Sequence, residues 1–149
     1  MKVGRLIFAV FIFAAVLHAQ EEKPWQIDRL CGKLNHVVRI PDRKNANTVS
    51  EKRTALRDVP VTLYEQRNDE PCCIGETAIE TVRTGKGGHF EFKNQKEGKY
   101  WLRTNWNGKE YTLAVGLKPE KNTTTMCSQQ GVDLDDEGKA GWWVTIRVD

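Results

Sequence analysis

The sequence predicts an all-β domain behind an export leader. Two observations carry the fold. Apolar residues recur at every second position in several short segments, which is the period of a half-buried strand. Glycine, proline and asparagine turn signals separate those segments, and no stretch carries a helical apolar stripe of useful length. The length of 149 residues adds a third. It suits one domain after a leader and is short for two full-sized ones.

The leader comes first. Residues 1–19 read as a signal peptide, with Lys2 and Arg5 before an uncharged run at 6–17 and the small Ala19 at a cleavage point. Twelve residues span about 18 Å as a helix, against roughly 30 Å of hydrocarbon. Cleavage therefore fits better than a membrane span, and no cysteine follows the run to carry a lipid. The expected product is a secreted or periplasmic protein, residues 20–149, folded as a single domain.

Charge excludes one class of partner. The chain has 23 basic and 20 acidic residues, and the leader takes two of the basic ones. Phosphate-backbone binding needs a basic face, and nothing in this nearly neutral chain concentrates one. Nucleic acid is not expected as a partner. The densest basic stretch, residues 39–57, reads as a solvated loop.

The strands follow in order. Arg29-Leu30-Cys31-Gly32-Lys33-Leu34 reads as the first. A polar loop is expected at 39–58, longer than most connections in compact domains. Val59, Val61 and Leu63 then share one face of a strand in which Pro60 cannot donate to a ladder, so that strand lies at an edge or begins there. Residues 68–75 form a loop carrying Cys72 and Cys73. Residues 77–84 are β-branched and read as a strand, and Gly85-Lys86-Gly87-Gly88 is a tight turn.

The second half alternates more strongly. Phe90 and Phe92 point inward with His89 outward, and Tyr100 and Leu102 point inward on the next strand. Asn107-Gly108 is a strong hairpin signal. Tyr111, Leu113, Val115 and Leu117 continue the period. A short strand is expected at 123–127, and Asp133 to Gly138 reads as an acidic turn. A last strand carries Trp142, Val144, Ile146 and Val148.

Cys31, Cys72, Cys73 and Cys127 are an even set in an exported chain, so two disulfides are expected. Adjacent cysteines in an extended segment point to opposite sides. Each of Cys72 and Cys73 is therefore expected to pair at long range, one with Cys31 and the other with Cys127. A zinc site fits poorly, because adjacent cysteines lack the usual spacing and no histidine is near.

No catalytic constellation emerges. Ser50 and Ser128 are the only serines, and neither sits in a nucleophile elbow. His36 and His89 have no evident partner. Asp133 to Gly138 does not fit an EF-hand, because the twelfth position is Val144 where a bidentate Glu is required. Asn122-Thr123-Thr124 is a glycosylation sequon. Trp101 and Trp143 alternate with inward residues and face out, so they are candidates for a stacking platform for a sugar ring or a protein partner. A cross-strand pair that merely covers the sheet has the same pattern.

The order of elements resembles a known family. Val59-Pro60-Val61-Thr62-Leu63-Tyr64, then Thr84-Gly85-Lys86-Gly87-Gly88-His89-Phe90-Glu91-Phe92, then Gly98-Lys99-Tyr100-Trp101-Leu102-Arg103 is similar to the carboxypeptidase regulatory-like domains. These are relatives of the Cna B-type and transthyretin-like sandwiches. Gly85 stands where that family often has Asp, and Glu97 where it often has Pro. The resemblance implies a seven-stranded Greek-key β-sandwich of transthyretin-like (prealbumin-like) type. It implies an exported binding or structural module with no cofactor and an unknown protein or carbohydrate partner, not an enzyme.

Catalytic and cross-linking relatives fit less well. The chain ends Thr145-Ile146-Arg147-Val148-Asp149, without the Tyr-Arg-Gly-Ser terminus of hydroxyisourate hydrolases. His36, His89, Tyr64, Tyr100 and Tyr111 do not match the iron-ligand spacing of intradiol dioxygenases. The last strand has no asparagine for an isopeptide bond. The alternative is a small secreted redox or metal-dependent protein using Cys72 and Cys73.

Overall fold

The alternating segments fold into two mixed β-sheets that share one apolar core. The computed structural model describes residues 25–67, 72–73, 77–119 and 125–145. The predicted leader, the Asn122 sequon and Ile146 and Val148 of the last predicted strand lie outside the described residues.

One sheet runs β1–β8–β7–β4–β5, with β1 Trp25–Ile27, β4 Pro60–Glu65, β5 Ala78–Arg83, β7 Gly98–Trp106 and β8 Lys109–Leu117. We call it the first sheet. β1 runs parallel to β8, and the other pairs of this sheet are antiparallel. The second sheet runs β10–β9–β2–β3, with β2 Cys31–Pro41, β3 Val49–Ala55, β9 Gln130–Leu134 and β10 Ala140–Val144. β6 His89–Glu91 also pairs with the start of β2, and β2 runs parallel to β9.

Alternation decides what goes inside. Val61 and Leu63 of β4, Tyr100 and Leu102 of β7, and Tyr111, Val115 and Leu117 of β8 are buried from the first sheet. Leu34, Phe90, Val132, Leu134 and Trp142 come from the second, with Phe92 just past β6. Each fully buried Leu or Phe contributes about 1.5–3 kcal/mol relative to exposure. Two of the buried polar side chains bond to the backbone, whereas the buried Trp142 Nε1 has no hydrogen-bond partner. Thr104 Oγ1 donates to Pro60 O at 2.8 Å, and Gln130 Nε2 donates to Arg29 O and Cys31 O at 3.0 and 2.8 Å. Among the described residues no helix is long and apolar enough to cross a membrane.

Several expectations change. About seven strands were expected, and ten are described. The first predicted strand begins at Cys31 and runs on to Pro41. The predicted loop at 39–58 is in large part a hairpin, in which Val49–Ala55 pairs with β2 from Asn35 to Pro41. All seven residues of β3 are exposed, so backbone hydrogen bonds hold the strand and no apolar face announces it. β4 begins at Pro60, as one of the two options foresaw, but it lies between β7 and β5 and not at an edge. Residues 125–126 are not strand, and Cys127 opens a short 3-10 turn. Asp133 and Leu134, expected in a turn, end β9 instead, and the turn begins after them.

The disulfide pairing is also corrected. Cys31 bonds Cys127, with a Cα–Cα distance of 5.2 Å. Cys72 bonds Cys73. The physical reason lies in topology. The parallel register of β9 on β2 brings the turn before β9 against the start of β2, so Cys127 lands on Cys31. Cys73 adopts φ 79°, so this dipeptide is not the extended segment assumed in the sequence argument.

Candidate functional site

The second sheet carries a groove on the face turned away from the core. Leu34, Val132, Leu134 and Trp142 point inward, so their neighbours in sequence line the outer face. Val37, Asp133 and Gly141 form the floor, Arg39, Glu51 and Arg53 border one side, and Trp143 stands on the other. The β9–β10 turn, through Glu137 and Lys139, borders it as well. The groove holds about 420 Å³. A Cβ built on Gly141 meets nothing within 4 Å, so the space at residue 141, beside Asp133, is open.

A chain of charges crosses the groove. Arg53 Nε donates to Asp133 Oδ2 at 2.7 Å, Arg53 Nη2 lies 3.1 Å from Glu51 Oε2, and Arg39 Nε lies 3.6 Å from Glu51 Oε1. Buried Asn35 donates its amide to Asp133 Oδ1 at 3.3 Å. Asp133 is the least exposed of these charges at 14%. Its hydrogen bond holds the Arg53 guanidinium above its usual range despite the opposing cost of burial. Arg39, Arg53 and Lys139 face Glu51, Asp133, Asp135 and Glu137, so the lining is close to neutral overall.

The first sheet anchors the turn beside the groove. Tyr111 OH of β8 donates to Asp135 O at 2.8 Å, and Lys109 Nζ donates to Asp136 O. Desolvation, reinforced by the Asp135 and Asp136 charges, raises the Tyr111 phenol above its usual pKa. His36 Nε2 lies 2.7 Å from Asp136 Oδ1, and its ring sits 4.6 Å from that of Trp106. His36 shares the inward side of β2 with Leu34, and Trp106 the inward side of β7 with Leu102. This tilted ring pair therefore joins the two sheets at one end of the space between them. Asp135 Oδ1 accepts the Glu137 and Lys139 backbone N–H groups at 2.9 and 2.8 Å. The acidic segment is thus a self-capped turn. Among the described residues no three His, Cys, Asp or Glu side chains converge to hold a metal ion.

The two candidate tryptophans do not meet. Trp101 lies on β7 of the first sheet and Trp143 on β10 of the second, each turned away from the shared core. Trp101 is half-buried in register with Tyr64 and Ala114, so it covers its own sheet. His89 is exposed on β6, and the Ser50 hydroxyl donates to Ile40 O. The groove residues Arg39, Glu51, Arg53, Asp133 and Gly141 were missed. For Glu51 and Arg53 the signal in the sequence was opposite charge two residues apart, on one face of a strand, which a loop assignment hid. No protein-family model, no curated protein and no solved structure matches this chain.

Proposed function

We propose that this is an exported, non-catalytic binding module, a carboxypeptidase regulatory-like β-sandwich of Greek-key, transthyretin-like type. In this reading the outer-face groove takes a neutral, hydroxylated ring, a saccharide. The observation that carries the reading is the Trp143 indole set across an open floor from the Asp133–Arg53–Glu51–Arg39 chain. An aromatic face offers stacking area, and fixed donors and acceptors orient hydroxyl groups. A balanced lining suits a neutral ligand better than an anion. The carboxylates are engaged by guanidinium groups, which suits holding a ligand more than passing protons. Two sheets sharing one core support the sandwich.

The test is a tryptophan-fluorescence titration with soluble cello-, chito- and xylo-oligosaccharides. A saturable response to at least one is expected. Gly141→Leu, which fills the groove, and Trp143→Ala should each weaken it about tenfold or more, a loss of about 1.4 kcal/mol. Trp101→Ala should leave it unchanged. Binding that survives both groove variants, or no response to any of the three series, overturns the reading.

A second reading draws on the Cys72–Cys73 bond. In thiol–disulfide exchange an external dithiol would be oxidised to its disulfide as this pair is reduced to two thiols. Oxidation of an added dithiol, one equivalent per chain, that is lost in Cys72→Ala/Cys73→Ala would favour it.

A further inference from the structure

We propose that β3 is a homophilic docking edge, through which two copies of this chain pair antiparallel across a twofold axis at Lys52. Among the described residues β3 pairs with β2 alone, and it ends its sheet. The ladder fixes which backbone groups are free. Asp42 N donates to Thr48 O at one end, and Leu56 N donates to Leu34 O at the other, both at 2.9 Å. The register between them is unbroken. Hydrogen-bonded pairs alternate in an antiparallel ladder. Ser50, Lys52 and Thr54 therefore turn their N–H and C=O groups to β2. Val49, Glu51, Arg53 and Ala55 turn theirs to the open side.

The free edge reads Val-Ser-Glu-Lys-Arg-Thr-Ala, and it complements itself. Centred on Lys52, Glu51 faces Arg53 of the partner subunit and Arg53 faces Glu51 of the partner subunit. Val49 faces Ala55 of the partner subunit, and Ser50 faces Thr54 of the partner subunit. All four outward-bonding residues meet outward-bonding residues, so the pairing can form about eight backbone hydrogen bonds. Shifting the centre to Glu51 or Arg53 loses both Glu51–Arg53 pairs and shortens the overlap. Such a contact is isologous, as a twofold dimer requires. It would join the two second sheets into one continuous sheet, with both grooves on the same side. Lys52 opposes its own copy on the other face of the strand. That one repulsion limits affinity and guards the edge against open-ended stacking.

Sedimentation velocity on the purified protein, from about 1 µM to about 1 mM, tests the proposal. A concentration-dependent monomer–dimer equilibrium is expected. Glu51→Arg puts Arg against the partner's Arg53, and Arg53→Glu puts Glu against the partner's Glu51. Each variant alone should weaken association about tenfold or more. An equimolar mixture of the two should recover a heterodimer, because both pairs between positions 51 and 53 are then opposite in charge. Recovery also shows that both variants are folded. Lys52→Thr should tighten the wild-type dimer. Monomer throughout the range, dimerisation indifferent to both charge reversals, or a mixture that stays monomeric overturns the proposal.

Discussion

The Cys31–Cys127 bond has a consequence whose size follows from the chain path. The two cysteines are 96 residues apart. Cross-linking a loop of that length removes about 4.7 kcal/mol of unfolded-state conformational freedom at 25 °C on the chain-entropy account. Small domains have a total stability of about 5–15 kcal/mol. The variant Cys31→Ala/Cys127→Ala should therefore lose a third or more of its stability. The assay is urea denaturation followed by tryptophan fluorescence, without reductant. The midpoint should fall and the m-value should rise, because an unfolded chain without the cross-link exposes more surface. The matched control is Cys72→Ala/Cys73→Ala. That bond spans a sequence separation of 1, closes almost no loop, and should cost less than about 1 kcal/mol. Equal losses in the two variants, or a loss under about 1 kcal/mol in the first, would refute the reasoning.

Other expectations concern packing and charge. A Cβ at Gly131 would sit 2.1 Å from Lys33 O and 2.7 Å from Lys33 N. Gly131→Ala must therefore shift the β9–β2 backbone, and thermal denaturation should show a loss of about 1–3 kcal/mol. Leu63 is fully buried in β4, an internal strand of the first sheet between β7 and β5, and Leu63→Ala should cost about 2–5 kcal/mol in the same assay. The Asp58 carboxyl is held below its usual range by the Arg83 hydrogen bond and then by the Arg83 charge. A depressed folded-state pKa stabilises above the ordinary carboxylate value of about 3.9, and the effect fades as the pH falls below it. The stability difference between wild type and Asp58→Asn should therefore shrink on acidification, and a difference constant from neutral to acid pH would contradict the pairing.

β4, β7 and β8 each pair a buried set with an exposed one, so period two is written into their composition. β5 was legible from its β-branched residues although it is almost wholly exposed, and in β10 Trp142 is buried while Val144, expected on the same inward side, is exposed. Asn107-Gly108 was legible for a local reason, since Asn107 at φ 50° and Gly108 at φ 74° adopt the positive angles that a tight hairpin demands. β3 was illegible because it has no buried face at all. β9 was obscured by Gly131 and Asp133, whose roles depend on neighbours far away in sequence. Gly131 allows the close approach to Lys33, and Asp133 meets Arg53 and Asn35.

Local chemistry alone determined the all-β class, the inward set from Val61 to Trp142, and the outward direction of Trp101 and Trp143. These follow from side-chain alternation, which a strand obeys wherever it lies. Tertiary structure decided which strands are neighbours. It separated the two tryptophans onto different sheets, paired Cys31 with Cys127, and drew Arg39, Glu51, Arg53 and Asp133 into one groove. Sheet order and register set those distances. They arise from the burial of the whole core at once, a quantity that no single segment carries.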